Sequence, residues 1–309
     1  MITRIRSERG QVTVLSAVFM LALVGLAGFV LDVGSWFRQQ RQQQSTVDAA
    51  ALAGAQALPL DPGNASSIAT DYAVRNGGIA GATITISSKY SPNDTITVNK
   101  TQSGDGLFSS LFGVPTVSIT TKATAMVEPP QDVFGAAPIV VDIHHPMLSG
   151  QGCGSTTPCF NQVTTIPLGK KGAPGAFGLL DFETGNGNTG NSLLSSWITS
   201  GYQKQLPLGN YDSDPGADFN TSQVQNALKG RFGTDLLFPV YDSLTDQGSN
   251  APYHIIAWVA FHITDSNTNG NSGSITGFFK RIVWDGLEAP GPPSTGGPDL
   301  GVRTVALVD

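Results

Sequence analysis

The chain has 309 residues, 40% of them hydrophobic, which is enough to bury a core and too many for a disordered polymer. Only 13% are charged, about half the usual share, and a net charge of −6 argues against nucleic acid as a partner, since phosphate neutralisation needs clustered Lys and Arg. Gly (37) and Pro (19), with abundant Ser, Thr and Asn, suit short strands joined by many turns, as in exported β-rich proteins.

Gly10 to Leu31 is a run of 22 residues without a charge, closed by Asp32. At ~1.5 Å per residue it spans about 33 Å, enough for the hydrocarbon core of a bilayer. Trp36 and Phe37 follow where an interfacial aromatic belt would lie. A cleaved signal peptide would have a shorter apolar core with a small-residue site directly behind it, whereas the nearest such sites, Ala53/Ala55 and Ala55/Ala57, lie far downstream. The expectation is an uncleaved single-pass membrane helix at 10–34 with a cytoplasmic tail at 1–9. Arg4, Arg6 and Arg9 precede the span while Arg38 and Arg41 follow it, so the bias toward an inside N-terminus is slight. The short tail and the long polar remainder place the bulk of the chain outside the cytoplasm.

From Ser35 nothing but Gly54 opposes helix until Pro59, which predicts that the membrane helix continues outward to about Leu58. Its first half, Arg38 to Gln44, is polar and carries five glutamines. In the second half Ala50, Gly54 and Ala57 recur at three- and four-residue steps, a smooth stripe against which another helix can pack closely. Alanine is also the best helix former, which accounts for the same cluster without a partner.

The string from Arg9 to Pro59 resembles the N-terminal module of TadE/TadG-like proteins of Flp (tight-adherence) pilus assembly. The matching parts are Arg9-Gly10-Gln11 before the apolar run, Leu31-Asp32-Val33-Gly34 closing it, Trp36-Phe37, the Arg/Gln stretch, and Val47-Asp48-Ala49-Ala50-Ala51-Leu52-Ala53-Gly54-Ala55. Asp32 and Asp48, in that order and spacing, distinguish the string from a generic anchor. The resemblance implies a membrane-anchored protein whose partners are other components of the pilus or secretion apparatus, with oligomer formation through the N-terminal helix possible. Two family features are missing. Prepilin-like members are cut after a glycine with an acidic residue at the fifth mature position; counted from Gly10, that position is Leu15. The Asp-x-Ser-x-Ser metal motif of von Willebrand A domains does not occur, so adhesin-like metal binding does not carry over.

Asn64 to Asn76 reads as a short helix with Ile68, Tyr72 and Ala73 on one face, stopped by Asn76-Gly77-Gly78. Alternating patterns predict strands at Ala82–Ser88, Thr95–Val98 and Thr116–Val127, with Ser91-Pro92-Asn93-Asp94 as the turn between the first two. Leu107 to Gly113 reads as a short amphipathic helix packing on that sheet. A small α/β segment thus occupies 35–128, and Glu128-Pro129-Pro130 is a natural linker. From 136 to 309 the pattern is mostly β. Apolar runs occur at Pro138–Ile143, Leu236–Tyr241, His254–Ile263 and Gly273–Trp284, with a polar hairpin loop at Thr264–Ser272. Helices are expected near Ser192–Ser200 and Ser222–Arg231, a turn-rich lead-in at Ala289–Asp299, and a final strand at Gly301–Val308 closing the sheet. The fold class is α+β.

Cys153 and Cys159 are the only cysteines, in a Gly/Ser/Thr/Pro-rich loop, and outside the cytoplasm they read as a small-loop disulfide. His144 and His145 lie upstream, but neighbours on a strand point to opposite faces and do not easily serve one ion. Asp265-Ser-Asn267-Thr-Asn269-Gly270 opens like a calcium loop, yet position twelve is Thr276 and position eight is Ser272, so a polar hairpin turn explains it. Asp212, Asp214 and Asp218 share a turn, where solvated Asp/Gly turn chemistry is the default. Leu168-Gly169-Lys170-Lys171-Gly172 lacks the spacing of a phosphate loop. Neither Gly-x-Ser-x-Gly nor His-Glu-x-x-His occurs, and His254 and His262, eight apart on one predicted strand face, read as packing rather than a catalytic pair. The expectation is a non-enzymatic accessory or structural component with no cofactor or metal. The alternative is an envelope glycan-binding or hydrolase domain that uses the N-terminal segment only as an anchor.

Overall fold

A helix without an internal proline can run until something breaks it, and the first proline after the apolar stretch is Pro59. In the computed structural model one helix, α1 (Arg9–Ala55), accordingly runs for 47 residues, about 70 Å at the ~1.5 Å rise of an α-helix. It ends slightly earlier than the sequence suggests. The N–H groups of Gln56, Ala57 and Leu58 donate to the carbonyls of Ala53, Gly54 and Ala55, a three-residue pattern that tightens the chain into a turn. The described residues are 9–77, 80–169, 178–183, 189–214, 219, 221–244, 251–268, 272–284 and 297–308. They fall into two units, one reaching Met126 and including Ala306–Val308, the other Val127–Val305. The C-terminal residues therefore leave the β-rich domain expected at 136–309; the Val308 N–H donates to the Thr124 carbonyl at 2.9 Å and ties them to the first unit.

In the first unit α2 (Pro62–Gly77) starts with Pro62, whose missing N–H costs nothing at that position, and Asp61 Oδ1 accepts from the Asn64 N–H at 2.9 Å. Its buried face is Ala65, Ala69 and Ala73, while Tyr72 is exposed. Of the face Ile68, Tyr72 and Ala73 read from the sequence, only Ala73 is buried. The close approach of α1 explains the difference, because only small residues fit between the two backbones. The strands β1 (Thr83–Ser87), β2 (Thr95–Asp105) and β3 (Thr116–Glu128) form an antiparallel sheet in that order, with Ile86 opposite Ile96 and Ile96 opposite Ala125. β2 is longer than its apolar alternation implies. β1 covers only Thr95–Asn99, leaving Lys100–Asp105 with β3 alone.

The second unit begins with β4 (Asp132–Val133), β5 (Val141–Asp142), β6 (Val163–Gly169) and α3 (Asn191–Ser200). It continues with β7 (Leu206–Pro207), β8 (Gly209–Asp212), α4 (Ser222–Gly230) and β9 (Asp235–Leu244). β10 (Pro252–Asn267), β11 (Ser272–Lys280), β12 (Ile282–Val283) and β13 (Val302–Leu307) complete the elements. The main sheet has the order β5-β9-β10-β11-β6, with β8 also pairing β10. Central β10 buries every residue from Ala257 to Phe261, which is why it reads as a continuous apolar run rather than an alternation. Phe238, Phe261 and Phe279 pack across three neighbouring strands, the first pair stacked with ring centroids 5.8 Å apart and the second edge-to-face at 5.1 Å. The expected hairpin loop at 264–272 shortens, because β10 carries its pairing with β11 through Asp265, Ser266 and Asn267 after an irregularity at Thr264. Residues 139–143 contribute only the short β5, Ile139 making an isolated bridge to Leu179.

The turn before β2 is held by one carboxylate. Asp94 accepts from the N–H groups of Lys89, Tyr90 and Ser91, each at 2.7 Å, and from the Thr95 hydroxyl at 2.8 Å. Burial by itself raises the Asp94 carboxyl, but these donors outweigh it and hold it below the usual carboxylate range. A depressed native value means the stabilisation is present above the unfolded-state value near ~4 and fades as pH falls through the lower folded one. Asp94→Asn is expected to cost about 1–3 kcal/mol at neutral pH. It should also flatten the acid limb of the stability curve below about pH 4. Thermal melts of the full chain in detergent across that range check both effects.

Candidate membrane-anchor and helix-docking site

One face of α1 carries Gly25, Gly28, Asp32, Trp36, Gln39, Gln43, Val47, Ala50 and Gly54, each three or four residues after the last. That spacing keeps them on a single side of the helix. Between Val12 and Leu31 the other large side chains are exposed, whereas Gly28 is buried and Gly25 half-buried. This face meets the rest of the first unit along its whole length, and its chemistry changes in three zones.

In the middle zone the polar side chains serve the uncovered part of β2. Trp36 Nε1 donates to the Asp105 carbonyl at 3.0 Å, Gln39 Nε2 to Ser103 at 3.3 Å and Gln43 Nε2 to Lys100 at 2.9 Å. These carbonyls lie in the part of β2 that β1 does not cover, and the helix supplies side-chain donors to them. Gln44 adds a 2.8 Å bond to the Lys122 carbonyl on β3 and a 2.7 Å bond to Asp48. Gly104 permits the approach, since a Cβ there would sit 3.0 Å from both Trp36 Cδ1 and Gln39 Oε1.

At the inner border Asp32 is 2% exposed. Its Oδ1 accepts from the Leu107 N–H at 3.0 Å, and its Oδ2 accepts from Phe108 at 2.8 Å and Ser109 at 2.6 Å. The carboxylate thus caps the one-turn 3-10 helix Ser109–Phe112 and fastens the turn joining β2 to β3 onto α1. The Phe108 side chain lies directly on the backbone of Gly28, where any Cβ would collide with it. The Leu107–Gly113 segment therefore packs on the helix and not, as its sequence suggests, on the sheet.

In the outer zone the small residues meet α2 of the same chain. A Cβ on Gly54 would lie 2.8 Å from the Ala65 carbonyl oxygen, 3.0 Å from Ala69 Cβ and 2.7 Å from Ile96 Cδ1, and Ala50 is wholly buried. Further along α2, a Cβ on Gly77 would collide with Thr46. Ala57 lies beyond the helix in the turn, half-buried, its carbonyl accepting from the Asp61 N–H. The helix that packs on the stripe is α2 of the same chain, at Ala50 and Gly54, while Ala57 lies in the turn beyond it.

Residues 10–57 match the family model Tad, described as "Putative Flp pilus-assembly TadE/G-like". No curated protein and no solved structure matches the chain. The TadE/G-like segment coincides with α1 and the turn behind it, so the resemblance carried by Asp32 and the 47–55 string rests on residues that build this face. It contains one helix long and apolar enough to cross a membrane.

The other residues singled out by sequence lie elsewhere. Cys153 and Cys159 form a disulfide, Cα to Cα 6.1 Å, in the second unit. His144 and His145 sit in a turn rather than on a strand. His144 Nδ1 lies 2.9 Å from Asp142 Oδ1, and His145 packs edge-on against Phe279. His254 and His262 lie on β10 and each faces its own carboxylate, Asp242 at 2.8 Å and Asp235 at 2.6 Å. Burial raises the Asp235 carboxyl, but Lys280 and His262 together outweigh that and hold it below the usual range. Asp265 and Asn267 are strand residues of β10, while 269–271 lie outside the described residues. The same is true of 170–177 and 215–218, so the Lys-Gly stretch and Asp218 are not described. Among the described residues no group of three or more His, Cys, Asp or Glu is placed to hold a metal ion.

What sequence reading missed is that the segment Leu107–Val114 seats on α1 at Gly25 and Gly28. The signal was there: the 3–4 spacing continues backward from Ala50 through Gln43, Gln39, Trp36 and Asp32 to those glycines. Asp32→Ala is expected to speed amide exchange at Leu107, Phe108 and Ser109 and to destabilise the unit by about 1–3 kcal/mol, since three donors lose their acceptor. Exchange at wild-type rates would show that Asp32 does not hold the turn. Gly54→Leu is expected to cost about 1–3 kcal/mol by overpacking, read as a lowered melting temperature of the full chain.

Proposed function

We propose that this chain is a membrane-anchored, non-catalytic accessory or structural component of Flp (Tad-type) pilus assembly, acting through protein–protein contacts outside the cytoplasm. One observation carries the reading: the segment matching the TadE/G-like family model is the same continuous helix that is bare and apolar from Val12 to Leu31 and docked from Asp32 to Gly54. A helix exposed on nearly all sides over 20 residues is suited to lipid and unsuited to water. Its docked half carries a folded module directly behind the membrane border, where an assembly component is positioned to meet its neighbours. In this reading the N-terminus is cytoplasmic, and Trp36, which bridges to Asp105, marks the interface on the outer side. Because α2 fills the small-residue stripe, the contacts with pilus components use the outer surfaces of the module and the β-rich second unit.

In a strain bearing Flp pili, deletion of the gene is expected to abolish or sharply reduce surface pili, and the intact gene should restore them. Alkaline phosphatase fused behind Asp309 is expected to be active, as it is only outside the cytoplasm. Normal piliation in the deletion strain would sink the assembly role, and an inactive fusion would reverse the topology.

A further inference from the structure

We infer that the turn Leu107–Val114 is a second membrane contact of this chain, seated among the acyl chains of the leaflet nearest the folded module; this rests on reading Val12–Leu31 as the membrane span. Among its eight residues the turn exposes four large apolar side chains, Leu107 and Leu111 at 79%, Phe112 at 74% and Val114 at 45%. It does not expose them at random. Held by Asp32, the turn folds back along α1 toward its N-terminus, so that Phe112 Cζ lies 3.8 Å from where a Cβ on Gly25 would be. Gly25 is seven residues before Asp32, about 10 Å along the helix axis. If the hydrocarbon core is counted back from Asp32, Phe112 stands roughly a third of the way through its ~30 Å thickness. The helix and turn enclose an open groove of about 950 Å³, walled by Leu21, Gly25, Phe29, Phe108, Leu111 and Phe112. Its apolar surface is continuous with the bare surface of the span.

The backbone supports the same placement. Backbone polar groups near the hydrocarbon must find their partners within the protein. Here Gly106 N–H donates to the Pro115 carbonyl, Leu111 to Phe108, Gly113 to Ser110 and Val114 to Ser109, at 2.8 to 3.1 Å. Leu107, Phe108 and Ser109 donate to Asp32, and the Ser110 hydroxyl donates to the Leu107 carbonyl at 2.7 Å. Asp32 is thereby a charged residue at the border whose acceptor capacity is consumed by the segment that passes it. The left-handed Gly113, at φ 84°, reverses the chain at the tip with no side chain of its own.

The test uses the full chain in phosphatidylcholine–phosphatidylglycerol vesicles. Cys153 and Cys159 are bonded to each other, so an environment-sensitive thiol label goes only to an introduced cysteine. Three variants are compared: Leu111→Cys at the tip, Val24→Cys on the exposed helix face, and Ser88→Cys at the exposed β1–β2 turn. The expected result is a blue-shifted Leu111→Cys probe that loses intensity with acyl-chain nitroxide lipids as the Val24→Cys probe does and resists aqueous iodide. The Ser88→Cys probe should show the opposite pattern. A Leu111→Cys probe quenched by iodide while Val24→Cys is quenched by lipid nitroxide would overturn the inference and leave the anchor standing. Iodide quenching at both would remove the membrane span itself. Phe112→Cys repeats the measurement at the deeper position.

Discussion

An α-helix returns to the same side every three or four residues, and in this chain nine successive returns, Gly25 to Gly54, are made to do different chemistry. Everything in the first unit is arranged along that one line. Where the helix is bare the line is glycine, which lets a phenylalanine lie on the backbone. At the border it is a carboxylate. Beyond the border it is indole and amides facing main-chain carbonyls, and at the far end alanine and glycine facing another helix. Without the constraint of a single straight face, the sheet, α2 and the β2–β3 turn would have no common surface to meet.

The polar zone deserves comparison with the apolar one. Side-chain amides of α1 donate to carbonyls of β2 in the stretch Lys100–Asp105 that β1 does not reach. Each bond contributes modestly, on the order of 1 kcal/mol, because water would satisfy the same groups in the unfolded chain. Their value lies in register. Three donors three and four residues apart match three carbonyls on an extended strand in one alignment, whereas the alanine face alone would tolerate a slip. The Asp32 carboxylate sets the same register from the other end.

Much of this architecture is readable in the amino-acid order. The uncharged run at 10–31, the alternation in β1 and β3, the helices near 192–200 and 222–231 and the cysteine pair are all local signals, and local signals survive without the fold. The errors arise where a partner decides the outcome. Tyr72 and Ile68 look like the inward face of α2 by size, yet Ala65, Ala69 and Ala73 face inward because α1 comes close. The glutamines read only as a polar stretch, because nothing in the sequence shows that β1 stops at Ser87 and leaves β2 carbonyls for them. Leu107–Phe112 has the same amphipathic pattern whether it lies on a sheet or on a helix, and only the distant Asp32 decides between them. In the second unit the polar residues Asp265–Asn267 look like a loop, but pairing with β11 carries them on as strand.

The absence of any break in α1 between its bare and docked halves has a mechanical consequence. The module is attached to the bare span as a blade is to a shaft, with no joint to absorb rotation. The portion from Asp32 to Ala55 is a lever arm of about 36 Å at ~1.5 Å per residue. In a bilayer, a change in helix tilt of about 10°, well within the range that spans adopt as membrane thickness varies, would swing its far end by ~6 Å. Lipid composition and bilayer thickness would thus be translated directly into the position of the residues at the top of the rod.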